Sequence, residues 1–163
     1  MKSAHLISLL LVVFADYCLA SQQCSPRVEC KPGYLYNPFS TTCLGIVNIN
    51  QTWNQAKQWC EAAGETMLVF ETGDEIFWFN NMRETHGAWK GYRGVAVHLG
   101  GMEVAGVWRW FGRIKDPLVV ADWQRGQPDL SHQDCLAHWK DHRWHDVHCD
   151  DTMYLLTACE YSV

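Results

Sequence analysis

The sequence predicts an α+β domain. Two capped helical segments are followed by many short strand-like segments, and cysteines stand near both ends of this run. A third observation is the stretch 123–149, WQRGQPDLSHQDCLAHWKDHRWHDVHC, where oxygen-bearing and imidazole side chains crowd around two cysteines.

Residues 1–20 read as a signal peptide: Lys2 begins it, an apolar run covers 6–14, and Cys18-Leu19-Ala20 offers a cleavage point. That run is shorter than the roughly 20 residues a membrane span needs, so the expectation is a secreted, extracellular chain with no span. Residues 21–29 are a short N-terminal segment, and 30–163 the size of one domain. With 48% hydrophobic residues it can build a core, and a formal charge of −5 argues against nucleic acid or an anionic membrane. Removal of Cys18 leaves seven cysteines, and export favours disulfides. Seven is odd. Cys24 is the natural spare, open to a disulfide-linked dimer or to a free or capped thiol. Spacing does not give the other pairings.

In chain order, Cys30 and Cys43 enclose a Pro- and Gly-containing hairpin, and 44–49 is β-prone. Asn50-Gln51-Thr52 is an N-glycosylation sequon, with Asn50 the acceptor. Thr52 to Gln55 is a capping box for a helix carrying Trp53, Ala56, Cys60 and Ala63 on one face and stopped by Gly64. Residues 66–71 read as a strand. A second box, Thr72 to Glu75, opens a helix with Ile76, Phe77, Phe79, Asn80 and Met82 that ends before Gly87. Then come a strand at 92–99, a Gly100-Gly101 turn, a strand at 106–111 and a loop at 116–122. A hairpin pairs 136–140 with 143–147, and a last strand covers 154–160.

The candidate site lies in the third observation. Gln127-Pro128-Asp129 follows Gly126, and Trp144-His145-Asp146 precedes Cys149. If Cys135 and Cys149 are bonded, the two triplets are held close. Converging oxygens suit calcium, which takes six to eight oxygen ligands. A Gln-Pro bond can be cis at modest cost, turning the chain sharply. Taken alone, the triplet also reads as an ordinary proline turn closed by Asp129.

Over residues 30–161 the chain resembles the C-type lectin-like domain. The carriers are the first helix with Trp53, Ala56 and Cys60, then Tyr92-Arg93-Gly94-Val95, then Gly106-x-Trp108-x-Trp110. Trp123-x-x-Gly126-Gln127-Pro128-Asp129 and Trp144-His145-Asp146-Val147-His148-Cys149 complete them. The resemblance implies two helices with two small antiparallel sheets and a long loop region, stabilised by Cys30–Cys43, Cys60–Cys159 and Cys135–Cys149. It implies a cis bond before Pro128 and a Gln-Pro-Asp loop of the kind that goes with galactose-type rather than mannose-type glycans. Gln127 and Asp129 would bind both ion and sugar, Asp146 the ion and the ligand region, and His132 would stack on the sugar. The family's calcium glutamate falls on Gln133 and its asparagine on His145. The metal set is then Gln127, Asp129, Gln133 and Asp146, with two charges, so calcium binding is expected to be weak.

Three other readings follow from the residues. A histidine cluster (His132, His138, His142, His145, His148) could bind zinc, with His138, His142 and His148 on one hairpin face; solvated hairpin histidines are the simpler account. A calcium-independent module could bind a protein or mineral surface through Trp108, Trp110 and the loop 112–122. A glycosidase-like pair, Asp129 and Asp146, lacks any nucleophile motif or sign of split acidity, so no enzyme is expected.

Overall fold

The computed structural model describes residues 28–129, 132–152 and 155–163. The expected signal segment, Cys24 and Tyr154 lie outside these. Strands β1 (Tyr34–Asn37) and β2 (Thr42–Val47) form the N-terminal hairpin, closed by Cys30–Cys43. Helix α1 (Trp53–Ala62) starts where expected. Thr52 Oγ1 accepts from the Gln55 N–H at 3.3 Å, and Gln55 Oε1 accepts from the Thr52 N–H at 3.0 Å. Its buried face is Trp53, Ala56 and Cys60, and Cys60–Cys159 fastens it to the last strand.

The strand expected over 66–71 is cut to β3 (Thr66–Met67). Leu68, Val69 and Phe70 stay buried; Leu68 still donates to Ala158 O at 2.9 Å and accepts from the Gly100 N–H at 2.8 Å, whereas the Val69 N–H turns to the Glu160 carboxylate at 3.1 Å. Helix α2 (Gly73–Thr85) has the second capping box, Thr72 with Glu75. It buries Ile76, Phe79 and Arg83, while Phe77 is 74% exposed.

The strand expected at 92–99 and the turn at Gly100-Gly101 are both displaced. A 3-10 turn covers Gly87–Tyr92, and the carbonyls of Tyr92 and Val95 accept from the Arg83 guanidinium at 2.9 and 2.5 Å, which keeps them out of the sheet. β4 (Ala96–Val104) therefore starts later and holds the glycine pair within the strand, where its register with the strand Cys135–His138 shifts between His98 and Met102. A Cβ at Gly101 would lie 2.6 Å from Leu136 Cδ2, so these glycines serve close packing. The turn sits instead at Ala105-Gly106, with φ of 55° and 82°.

β5 (Val107–Trp110), β6 (Cys135–His138), β7 (Trp144–Val147) and β8 (Leu155–Ser162) complete the fold. The ladder runs β1-β2-β8-β4-β6-β7, with β3 on β8 and β5 on β4. The two implied sheets are thus continuous, joined by the parallel pairing of β4 with β8. Three disulfides pair as the resemblance implies: Cys30–Cys43, Cys60–Cys159 and Cys135–Cys149. At the centre, Phe70 stacks on Trp144 at 5.8 Å, and Trp110 meets Trp144 edge-on at 5.6 Å. Trp110 is fully buried, which removes it from the surface-binding face, and Trp108 is half-buried against Trp123.

Candidate functional site

The β6–β7 hairpin is the platform. Cys135–Cys149 ties its base, and Leu136 pairs with Asp146 across it. The segment before the Gln-Pro-Asp triplet is laid along β7. The Trp144 N–H donates to Asp122 O at 2.8 Å, and the Gln124 N–H to Trp144 O at 3.0 Å. The Gln127–Pro128 bond is cis.

Reciprocal bonds then join triplet and strand. Gln127 Oε1 accepts from the Asp146 N–H at 3.1 Å, and Asp146 Oδ2 accepts from the Asp129 N–H at 3.0 Å. Asp146 is 2% exposed and Asp129 exposed, so the pair presents one carboxylate at depth and one at the rim. Gln127, Asp129, Gln133 and Asp146 line one cleft of about 300 Å³ together with Trp139, His145, His148 and Asp151.

His132 is the residue this cleft does not include. Its backbone has φ 66°, and its carbonyl accepts from His148 Nδ1 at 3.1 Å. The ring that lines the cleft is Trp139, half-buried and 5.5 Å from the His145 ring. Parity held the signal for it: one strand residue beyond His138, Trp139 shares the hairpin face of Ala137 and its cross-strand partner His145. Asp151, beyond Cys149, carried no pattern that would single it out.

The zinc reading fails on His138. Its ring is fully buried, Nδ1 lies 2.5 Å from Arg83 Nη1, and Nε2 lies 2.6 Å from Asn80 Oδ1. Arginine can only donate, so Nδ1 accepts, Nε2–H donates, and neither nitrogen is left for a metal. Burial first, and then the Arg83 charge, push this imidazole well below its ordinary pKa. His142 meets Glu84 at 2.8 Å, and His145 meets Asp141 at 3.1 Å. His148 borders the cleft apart from His138. Among the described residues no group of three His, Cys, Asp or Glu side chains is disposed to hold a metal. The cleft's oxygen donors suit a hard cation in kind; they are not drawn into a cage.

Asn50 is exposed, as a sequon acceptor must be. Next to it Gln51 is buried, its Nε2 donating to Thr157 Oγ1 at 2.9 Å.

Comparison with known families places this arrangement. The model of the lectin C-type domain matches residues 49–161. The chain belongs to the C-type lectin domain family. That match begins after the β1–β2 hairpin, whereas the resemblance took in residues from 30 onward. The domain is 27% identical over 130 residues to mouse C-type lectin domain family 4 member G, covering 78% of this chain and 42% of that protein. It is 24% identical over 119 residues to mouse CD209 antigen-like protein D, covering 71% and 47%. The chain thus spans less than half the length of these two relatives.

Solved structures share its fold. The cow CD23 carbohydrate-recognition domain, determined in the presence of a GlcNAc2Man3 oligosaccharide, aligns with a TM-score of 0.67 at 18% identity over 83% of this chain and 97% of that one. A calcium-independent type II antifreeze protein aligns with a TM-score of 0.67 at 19% identity, over 85% and 98%. Human lithostathine reaches 0.70 at 18%, over 88% and 98%. Among the described residues no helix is long and apolar enough to cross a membrane.

Proposed function

We propose that this C-type lectin domain binds glycans, galactose-type before mannose-type, in the cleft between the Gln127-Pro128-Asp129 loop and Asp146. The observation that carries the reading is the reciprocal bonding of Gln127, Asp129 and Asp146, which holds polar groups ready at the edge of a cleft walled by Trp139. Sugars need both elements: directed acceptors for hydroxyls and a flat apolar wall for the ring's C–H face. Trp139 takes the stacking role first expected of His132.

Gln127, Asp129, Gln133 and Asp146 are the residues that would hold calcium. When bound, the ion supplies coordination to a pair of sugar hydroxyls. With two charges among these four, affinity belongs in the weak range of extracellular sites, roughly submillimolar to millimolar. The chain's own residues help keep the loop in place through backbone donors to Gln127 and Asp146. Export with cleavage near Ser21, a glycan on Asn50 and pairing of chains through Cys24 accompany this reading as proposals.

A second reading, ligand binding without calcium, draws on the uncaged donors and on the likeness to a calcium-independent fold relative. One experiment separates the two. The oxidised protein is passed over immobilised galactose and mannose with calcium, then with chelator. Calcium-dependent retention on galactose, lost in Asp129→Asn with an unchanged fold, is the expected result. Retention that survives chelator assigns the second reading. Retention by Asp129→Asn equal to the parent's moves the site elsewhere.

A further inference from the structure

A second depression, of about 390 Å³, lies where the hairpin tip meets α2. Its walls include Ile76 and Phe77 from α2, Asp122 from the loop before the triplet, and Asp141, His142 and Arg143 from the tip, with Ala121, Asn80 and Gly73 completing them. Phe77 is the anomaly. Its neighbours Ile76 and Phe79 are 7% and 0% exposed, as an amphipathic helix requires, yet Phe77 is 74% exposed, more than Phe39 at 52% or Trp59 at 47%. Packing within the domain gives no reason for an aromatic side chain here. The loop that supplies Ala121 and Asp122 also exposes Val119, at 76%.

An apolar anchor inside a polar rim is the anatomy of a protein-binding patch. The rim also states a charge. Asp122 and Asp141 flank the groove against one cation, Arg143, which Asp122 already pairs. Farther along α2, Glu84 adds a third carboxylate, facing His142 and, at 3.8 Å, Arg93. Around the groove three carboxylates, Asp122, Asp141 and Glu84, stand against two guanidinium groups, Arg143 and Arg93, on a chain whose formal charge is −5. A second copy of this chain would bring like charge to like, which disfavours it. A cationic segment is drawn in.

We propose that this groove docks an extended basic peptide segment of a partner protein. An aliphatic or aromatic side chain of the segment packs on Phe77 and Ile76, and a neighbouring Lys or Arg sits between Asp122 and Asp141. The proposal does not depend on glycan binding, because it uses none of the cleft's oxygens. The two sites are nonetheless adjacent: Asp141 lines the groove and bonds His145, which lines the cleft. A glycan and the protein beside it could therefore be read together.

The test is an NMR titration of the isotope-labelled, oxidised chain with a blocked hexapeptide, Gly-Arg-Leu-Phe-Lys-Gly, and with a control in which Arg and Lys become Glu. Amide shifts confined to Phe77, Ala121, Asp141 and Arg143, seen with the basic peptide only and weakening as salt rises, are expected. Phe77→Ser should bind about tenfold more weakly at unchanged melting temperature, because the ring is exposed and leaves no cavity. Asp141→Asn should also weaken the basic peptide. Scattered shifts, equal binding of the acidic control, or parental affinity in Phe77→Ser overturn the proposal. So does movement of the Phe77 amide with protein concentration alone, which would assign the patch to self-association.

Discussion

Calcium affinity in oxygen sites follows the charge its ligands bring. The proposed set has carboxylates at Asp129 and Asp146 but neutral amides at Gln127 and Gln133, all on one cleft. Gln133 is half-buried there, with room for an isosteric acid. Gln133→Glu should therefore tighten calcium by about tenfold, read by calorimetric titration of chelator-stripped protein, and should raise galactose retention in step. An unchanged isotherm would mean that Gln133 does not face the ion. At this scale the site was partly legible in the sequence. Gln127, Asp129 and Asp146 announce themselves because the triplets are compact and their chemistry is local. Trp139 did not, since its place depends on hairpin parity relative to His145 and on where β6 ends. For His132 the converse holds: nearness in sequence to Asp129 says nothing of the left-handed backbone that carries it, and the cleft lining does not include it.

Elements whose ends are written in local hydrogen bonds were legible in full. Thr52 with Gln55 and Thr72 with Glu75 each satisfy the free donors of a helix start from within four residues. Elements that depend on distant neighbours were not. A Gly-Gly pair signals a turn when read locally, yet Gly100 and Gly101 lie mid-strand. A Cβ at Gly100 would come 3.0 Å from Val69 Cγ1, and one at Gly101 2.6 and 2.9 Å from two carbons of Leu136. The strand expected over 66–71 is shortened to Thr66–Met67, and Glu160, about ninety positions later, takes the Val69 N–H. The glycine account makes a prediction. Gly101→Ala should destabilise the domain by about 1–3 kcal/mol through overpacking against Leu136, read by denaturant unfolding. Leu136→Ala in the same chain should recover part of that loss. A neutral Gly101→Ala would show that β4 tolerates a side chain there and that its glycines serve another purpose.

Across the whole molecule, buried titratable groups set opposing dependences of stability on pH. Glu160 lies on the last strand, its carboxyl facing Arg113, the Val69 N–H, Thr42 and Glu75. Burial pushes it up to about 7, with Arg113 the largest opposing influence. For an acid whose folded pKa is raised, stability is fully present below the unfolded value and is lost as pH rises through the folded one. The window thus runs from about 4.5 to about 7, with a span of about 3 kcal/mol at most. His98 acts in the other direction. Burial lowers it to about 4, with hydrogen bonding to Gln51 in partial opposition, so its stability is complete above 6.5 and is lost as pH falls through 4. His138, held neutral by burial and Arg83, adds to that acid limb. Between 4.5 and 6.5 the two effects compete, and above 6.5 Glu160 acts without the histidines. Thermal unfolding of the oxidised chain should therefore show stability declining from pH 6.5 to about 7, levelling off above that, and declining again below about pH 4.5. Glu160→Gln should flatten the upper decline and leave the lower one in place, since an amide does not titrate: its oxygen still accepts from the Val69 N–H, while its NH2 cannot accept from Arg113. A parental slope above pH 6.5 in that variant would mean that Glu160 is ionised in the fold at neutral pH, with Arg113 outweighing its burial.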